Sequence, residues 1–245
     1  MNDVTATLLH SDIIKSKGFL KKLYSDFYGE FTEHLADTPE GPSVEVGSGG
    51  GFFKDVMEDV ITSDVVAVPG IDIVFSAENM PFHDSSLSTI FLLNTLHHIK
   101  DPKKFFVEVS RCLKRNGIVV MIEPTNSYLA RLIFKNFHHE HFDEKAKKWE
   151  LSGDGRLSDA NQAMPWLIFV RDRKTFELIF PNLSITYLRK HTPFCYWLSG
   201  GVSLKQLAPS FSYGLFREME NILSPFREQM GCFMTVVLVN KQLGS

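Results

Sequence analysis

Apolar residues follow two rhythms along this chain. Near the N-terminus Phe19, Leu23, Phe27 and Phe31 recur every four residues, with Leu20, Tyr24 and Leu35 beside them. That spacing predicts helix within residues 1–40, ended by Gly41-Pro42. The rhythm then changes to short strand-like segments at Ser43–Val46, Val60–Ser63, Ile71–Phe75, Ser88–Asn94 and Ile118–Ile122, of which Ser88–Asn94 is apolar almost throughout. An apolar run of that length predicts a strand covered on both faces. A brief helix is predicted from Phe52 to about Asp59. The best-marked element is a helix with Asp101 as N-cap and Pro102 at the first helical position. Its buried stripe is Phe105, Val109, Cys112 and Leu113, and Asn116-Gly117 is a left-handed stop. Strands alternating with helices predict a parallel, doubly wound α/β sheet.

After Glu123-Pro124 the pattern loosens. A helix is predicted over Tyr128–Phe137, a polar loop near Ser152–Asn161, and a helix from Arg171 to Phe180 stopped by Pro181. Two late strands follow, Leu183–Leu188 and Cys232–Val239. Residues 203–230 between them read as amphipathic helix broken by Pro209 and Pro225. There is no internal repeat and no low-complexity tract.

Composition narrows the classes. The chain has 245 residues, 44% hydrophobic and 22% charged, with a net charge of −3. That suits a globular chain with a large core and gives no basic field for nucleic acid. The short basic run Lys145–Lys148 reads as a solvated helix face. Cys112, Cys195 and Cys232 are isolated and form no CxxC pair, so neither a disulfide framework nor a zinc site of cysteines is expected. No signal peptide and no uncharged span of about 20 apolar residues is read, so a cytoplasmic placement is expected.

The chemistry centres on V-E-V-G-S-G-G-G, Val44–Gly51, which follows a strand. A glycine turn there places backbone N–H groups at the carboxyl edge of a parallel sheet, where open α/β sheets bind ligands. A nicotinamide dinucleotide site requires G-x-G-x-x-G, but Gly47, Gly49 and Gly51 are spaced G-x-G-x-G and residue 52 is Phe. A phosphate loop fails because no Lys-Ser/Thr pair follows. Glu45, an acid two residues before the first glycine, would repel a pyrophosphate. It suits a ligand carrying an ammonium and a sulfonium.

E-x-G-x-G-x-G after a first strand resembles the cofactor motif of class I S-adenosylmethionine methyltransferases. The resemblance runs over about residues 42–124. It includes P-F-H-D-S-S-L-S-T-I-F (Pro81–Phe91), N-T-L-H-H-I-K-D-P (Asn94–Pro102) and R-C-L-K-R-N-G (Arg111–Gly117). It is nearest the small-molecule branch related to the ubiquinone-biosynthesis methyltransferases. It implies a Rossmann-like seven-stranded, mostly parallel sheet with the last strand antiparallel, and S-adenosylmethionine as cofactor with S-adenosylhomocysteine as product. In this sequence it implies a cradle of Gly47, Ser48, Gly49 and Gly51, with Glu45 facing the amino end of the cofactor. The ribose acid is Asp64, with Asp72 as runner-up. Where the family commonly has Asp beside the adenine, this chain has Ser76, followed by Ala77 and Glu78. Serine accepts a hydrogen bond more weakly than a carboxylate, and Glu78 is the candidate substitute. Asn94, Thr95, Leu96 and His97 would line the cofactor from below. No catalytic residue is named by the motif. His97 and His98 are the candidates for a base, against a packing or capping role.

The resemblance divides one methyltransferase domain into an N-terminal helical cap (1–40), a cofactor-binding core (42–124) and a substrate-side elaboration with the late strands (125–245). Methyl transfer from a sulfonium is governed by positioning and exclusion of water, so the absence of a catalytic triad is no objection. The regions outside the core are rich in aromatics: Phe134, Phe137, Phe142, Trp149, Trp166, Phe169, Phe194, Tyr196, Trp197, Phe211, Tyr213 and Phe216. Packing of extra helices is one reading. The sharper one is a small-molecule or lipid-like acceptor, with residues 203–230 in peripheral contact with a membrane. Phe137-His138-His139-Glu140-His141 has the residue types of a metal site, but no matching second cluster stands out, so no metal is expected. His191 carries no assignment. The alternative from another class is a non-catalytic cofactor-binding or scaffold protein that kept the fold.

Overall fold

The computed structural model describes residues 3–138, 140–151 and 160–241. The polar loop expected near Ser152–Asn161 falls mostly outside them. Seven strands form one sheet: β1 (Ser43–Val46), β2 (Ile61–Asp64), β3 (Ile73–Val74), β4 (Leu87–Leu93), β5 (Leu113–Pro124), β6 (Leu183–His191) and β7 (Phe233–Asn240). Their order is β3-β2-β1-β4-β5-β7-β6, with β7 antiparallel to both of its neighbours and the other pairings parallel. This is the Rossmann-like seven-stranded, mostly parallel sheet that the resemblance implies. The order reverses at β1 and β4, so a crevice opens at their carboxyl ends.

Each central strand is apolar because both its faces are covered. β4 is buried at every position. One face carries α2 (Gly18–Glu33), whose stripe Phe19, Leu20, Leu23, Phe27 and Phe31 is buried. Phe31, Phe53 and Phe91 meet there, with ring centroids 5.0–5.4 Å apart. α3 (Pro102–Cys112) covers the other face through Phe105, Phe106 and Val109. Asp101 caps it, accepting from the backbone N–H groups of Lys103 and Lys104. A separate helix, α1 (Asp3–Ser16), precedes α2 and turns back across the crevice.

Three expectations change. The helix from Phe52 to Asp59 is a single 3₁₀ turn, Phe53–Asp55. Phe53 is buried but Val56, three residues on, is exposed, so no apolar stripe continues beyond the first turn. The third strand shrinks to Ile73–Val74, because the Asp72 carboxylate accepts from the Thr62 N–H and hydroxyl and pairs with Lys54. α3 ends at Cys112, before the Asn-Gly stop. Asn116 does adopt a left-handed φ of +62°, but in a bulge where β5 pairs first through Leu113 and again from Ile118.

Among the described residues no helix is long and apolar enough to cross a membrane. His191 is structural: its Nε2 lies 2.9 Å from the Thr235 hydroxyl, which donates to Glu30 on α2. The buried imidazole joins β6, β7 and the helix above them.

Candidate functional site

A cleft of about 580 Å³ opens at the carboxyl ends of β1, β2 and β4, within the size range of small-molecule sites. Its floor is the glycine turn. Gly47 and Gly49 have φ of +73° and +51°, in the left-handed region. Gly51 and Gly50 are small for another reason, close approach. A Cβ on Gly51 would collide with the Tyr28 hydroxyl, and one on Gly50 would stand 2.5 Å from the Ser11 backbone nitrogen. Gly50 is therefore where α1 seats on the turn. The turn is held by the Ser48 N–H donating to the Ser63 carbonyl and by the Ser63 hydroxyl donating to the Glu45 carbonyl.

Glu45 lies 2% exposed in the middle of β1, and its Oε2 has no hydrogen-bond partner among the described residues. Burial pushes its pKa up to about 7; the Ser48 side chain opposes this and the Asp64 charge adds to it. A half-neutral carboxylic acid at the floor of a cleft is a site prepared for a cationic group.

Asp64, at the end of β2, accepts from the Gly49 N–H (3.0 Å) and the Val66 N–H (2.9 Å) and lines the cleft. Asp72 is not among the lining residues. The ion pair with Lys54 and the Thr62 hydrogen bonds hold its pKa down to about 2, a structural commitment. Ser76, Ala77 and Glu78 line one end of the cleft. The Ser76 hydroxyl accepts from the Glu78 N–H, and Glu78 itself accepts from the Asp101 N–H. Arg111 fixes the segment that follows, donating to the carbonyls of Met80 and Phe82 and pairing with Glu108.

Asn94 ends β4 with φ +54° and lines the cleft beside Thr95, His97 and His98. This strip is organised by Glu123, a fully buried acid near the end of β5. Its Oε1 accepts from the N–H groups of Thr95 (2.7 Å) and Leu96 (2.6 Å), and its Oε2 lies 2.7 Å from His97 Nδ1. Beyond His97, Glu140 closes the row, 3.5 Å from His97 Nε2 and 3.4 Å from His98 Nε2. Burial acts to lower the His97 pKa, but hydrogen bonds and charges from Glu123 and Glu140 outweigh it and raise it to about 9. The same imidazoles, against burial, hold Glu140 far below the usual carboxylate range. The direction of that shift favours the protonated imidazole in the free protein and opposes a role as base. Gln162 and His138 extend the row to the Tyr196 hydroxyl through contacts of 2.7 and 3.0 Å.

Comparison with known proteins agrees with this geometry. Residues 44–121 match the sequence model of a methyltransferase domain. That match spans about a third of the chain. The uncharacterized protein MJ1123 of Methanocaldococcus jannaschii is 28% identical over 158 residues, which cover 60% of this chain and 68% of that one. A methyltransferase from Thermotoga maritima shares the fold at a TM-score of 0.53 and 17% identity, covering 89% of each chain. The geranyl diphosphate C-methyltransferase of Streptomyces coelicolor, solved with Mg²⁺, geranyl diphosphate and S-adenosylhomocysteine, gives 0.51 and 16%, covering 95% of this chain and 84% of that one.

The cleft gathers Glu45, Gly47, Ser48, Gly49, Gly51, Asp64, Ser76–Glu78, Asn94, Thr95 and His97, whereas Leu96, expected beside them, is buried and does not line it. Sequence reasoning missed Glu123, whose signal was an acid at the end of the apolar run Ile118–Ile122. It also missed Tyr24 and Tyr28 on α2, which close the cleft from above. Burial pushes the Tyr24 hydroxyl up to about 12, with a hydrogen bond to Asn94 acting against that. Of the aromatics named outside the core, Tyr196 is the one among the lining residues. Phe134, Phe142, Trp149 and Phe169 pack in the core instead.

Proposed function

We propose that this cleft binds S-adenosylmethionine and that the chain transfers its methyl group to a small-molecule or lipid-like acceptor. The observation that carries the reading is Glu45, a buried carboxyl with an unpartnered oxygen at the base of a left-handed glycine turn. Such a group needs a cationic partner, which the cofactor's ammonium supplies when bound. Asp64 would accept from the ribose hydroxyls, since a carboxylate accepts several hydrogen bonds and the two it already holds do not exhaust it. Ser76–Glu78 would border the adenine. Asn94–His97 would lie under the methionine end.

The bound cofactor supplies an activated methyl group. The work of the chain is then positioning and exclusion of water. α1, Tyr24 and Tyr28 cover the glycine turn, and Tyr196, His138 and Glu140 wall the side left for an acceptor. His97 would accept a proton from an acceptor hydroxyl only after passing its own to Glu140, which is the direction their opposed pKa shifts resist. Acceptors whose nucleophile carries no proton need no such step.

Peripheral membrane contact is part of the proposal. Leu204, Leu207, Phe211, Leu215, Ile222 and Phe226 are exposed on and around the helix Tyr213–Ile222. An amphipathic surface of this kind suits an interface. Co-sedimentation with anionic vesicles at low salt tests it, and a protein that stays in the supernatant sinks that part. Transfer itself is tested with cofactor labelled in the methyl group, incubated with organic and aqueous cell extracts. Label in one extract supports the reading. A protein that binds cofactor yet labels neither extract is a scaffold.

A further inference from the structure

We propose that His97, His98 and Glu140 bind one divalent transition-metal ion of the zinc class, on the wall of the cleft. The histidines lie in the 3₁₀ turn Leu96–His98 directly after β4, and Glu140 lies just beyond α4 (Tyr128–Phe137). Taken alone, the histidine-rich tract at Phe137–His141 has no second cluster to complete it. The fold supplies one, 42 residues earlier in the chain at the nearer pair, His98 and Glu140. One donor atom from each of the three residues falls within 4.8 Å of the others.

The spacing is that of donors sharing an ion. His97 Nε2 stands 3.5 Å from Glu140 Oε2, and His98 Nε2 stands 3.4 Å from Glu140 Oε1. Two donors each about 2 Å from a tetrahedral ion are about 3.4 Å apart. A charge-assisted hydrogen bond would close to about 2.8 Å, as His97 does with Glu123 at 2.7 Å. The carboxylate turns one oxygen toward each imidazole, at a longer distance than that.

The surrounding groups are those that a metal site uses to fix its ligands. The Glu123 carboxylate at His97 Nδ1 sets the tautomer that leaves Nε2 to coordinate. Glu123 is itself anchored by the N–H groups of Thr95 and Leu96. Gln162 Nε2 donates to Glu140 Oε2 at 2.7 Å. Gln162 is 2% exposed and its Oε1 has no hydrogen-bond partner among the described residues; His98 Nδ1 is a second buried atom without one. Two imidazoles and one carboxylate favour Zn²⁺, Co²⁺, Ni²⁺ or Fe²⁺ over Mg²⁺ and Ca²⁺, which take mainly oxygen donors. Three protein donors leave a position open, and all three residues line the cleft. That position would take an oxygen of the acceptor, so the ion would select acceptors by an oxygen donor near the methylated atom.

Metal binding does not depend on the methyl-transfer reading, and the two fail separately. The full chain, stripped with chelator and dialysed, is titrated with Zn²⁺ by calorimetry and with Co²⁺ by its visible absorption. S-adenosylhomocysteine binding and circular dichroism are recorded on the same samples. We expect one equivalent of ion. His98→Ala and Glu140→Gln should each weaken binding by more than about 100-fold, and Glu123→Gln by about 10-fold to 100-fold. His141→Ala, an exposed histidine of the same tract, should leave it unchanged. A folded wild-type protein that takes up neither ion overturns the proposal. So does unaltered uptake in folded His98→Ala and Glu140→Gln.

Discussion

Glu45→Gln should make the ligand-free protein more stable and the site less able to hold its cofactor. The wild-type carboxyl rises from an ordinary 4.5 to about 7 because it is buried without a full set of partners. At 1.36 kcal/mol per pH unit, ionising it in the folded protein costs about 3 kcal/mol. The raised value means that the folded state holds this proton more tightly than the unfolded chain does. Its favourable contribution is complete below pH 4.5 and is lost as pH rises to about 7. Glutamine keeps the shape and carries no charge. Urea denaturation should therefore find the two proteins alike near pH 4.5. The variant should gain steadily above that pH and lead by up to about 3 kcal/mol at pH 8. A bound ammonium reverses the balance, because it partners the carboxylate that the free protein leaves unpaired. Affinity for S-adenosylhomocysteine should fall about 100-fold in the variant. In the wild type it should weaken as pH drops below about 7, where Glu45 takes up its proton. A stability difference that is flat between pH 5 and pH 8 would refute the reasoning, as would a variant less stable than wild type at pH 8.

Other substitutions probe other links. Gly50→Ala places a methyl group against the Ser11 backbone and must displace α1; limited proteolysis should release the N-terminal segment faster, with loss of S-adenosylhomocysteine affinity. Asp64→Ala removes the acceptor of the Gly49 and Val66 N–H groups. At about 1–3 kcal/mol for groups left unpaired, calorimetry should find affinity reduced about 5-fold to 150-fold, while Asp72→Ala should alter stability and leave affinity near wild type. Phe91→Ala empties the junction with Phe31 and Phe53 and should destabilise by about 3–5 kcal/mol in denaturant titration.

The parts legible in the sequence were those fixed by local chemistry. Asp101-Pro102 opened α3 where expected, and the apolar run at β4 marked a strand covered on both faces. The glycine turn with Glu45 marks the cleft from sequence, because positive φ and a buried acid leave signatures in a few adjacent residues. Elements decided by distant contacts were not legible. Phe53 stacks on Tyr28 with centroids 4.9 Å apart, and that anchoring reduces the expected helix to one turn. Glu140 looked like part of an unmatched tract, because its neighbours in space, His97 and His98, lie in a different segment of the chain. Glu123 acts through three groups on the neighbouring β4 loop, which nothing in its own segment reveals.

The central claim is that the glycine turn and Glu45 form the seat of S-adenosylmethionine. The most direct measurement is calorimetric titration of the full chain with S-adenosylhomocysteine, beside a Glu45→Arg variant whose circular dichroism matches the wild type. The account predicts saturable binding of one ligand per wild-type chain and none in the variant. A folded wild-type protein that does not bind, or an arginine variant that keeps its affinity, would contradict it.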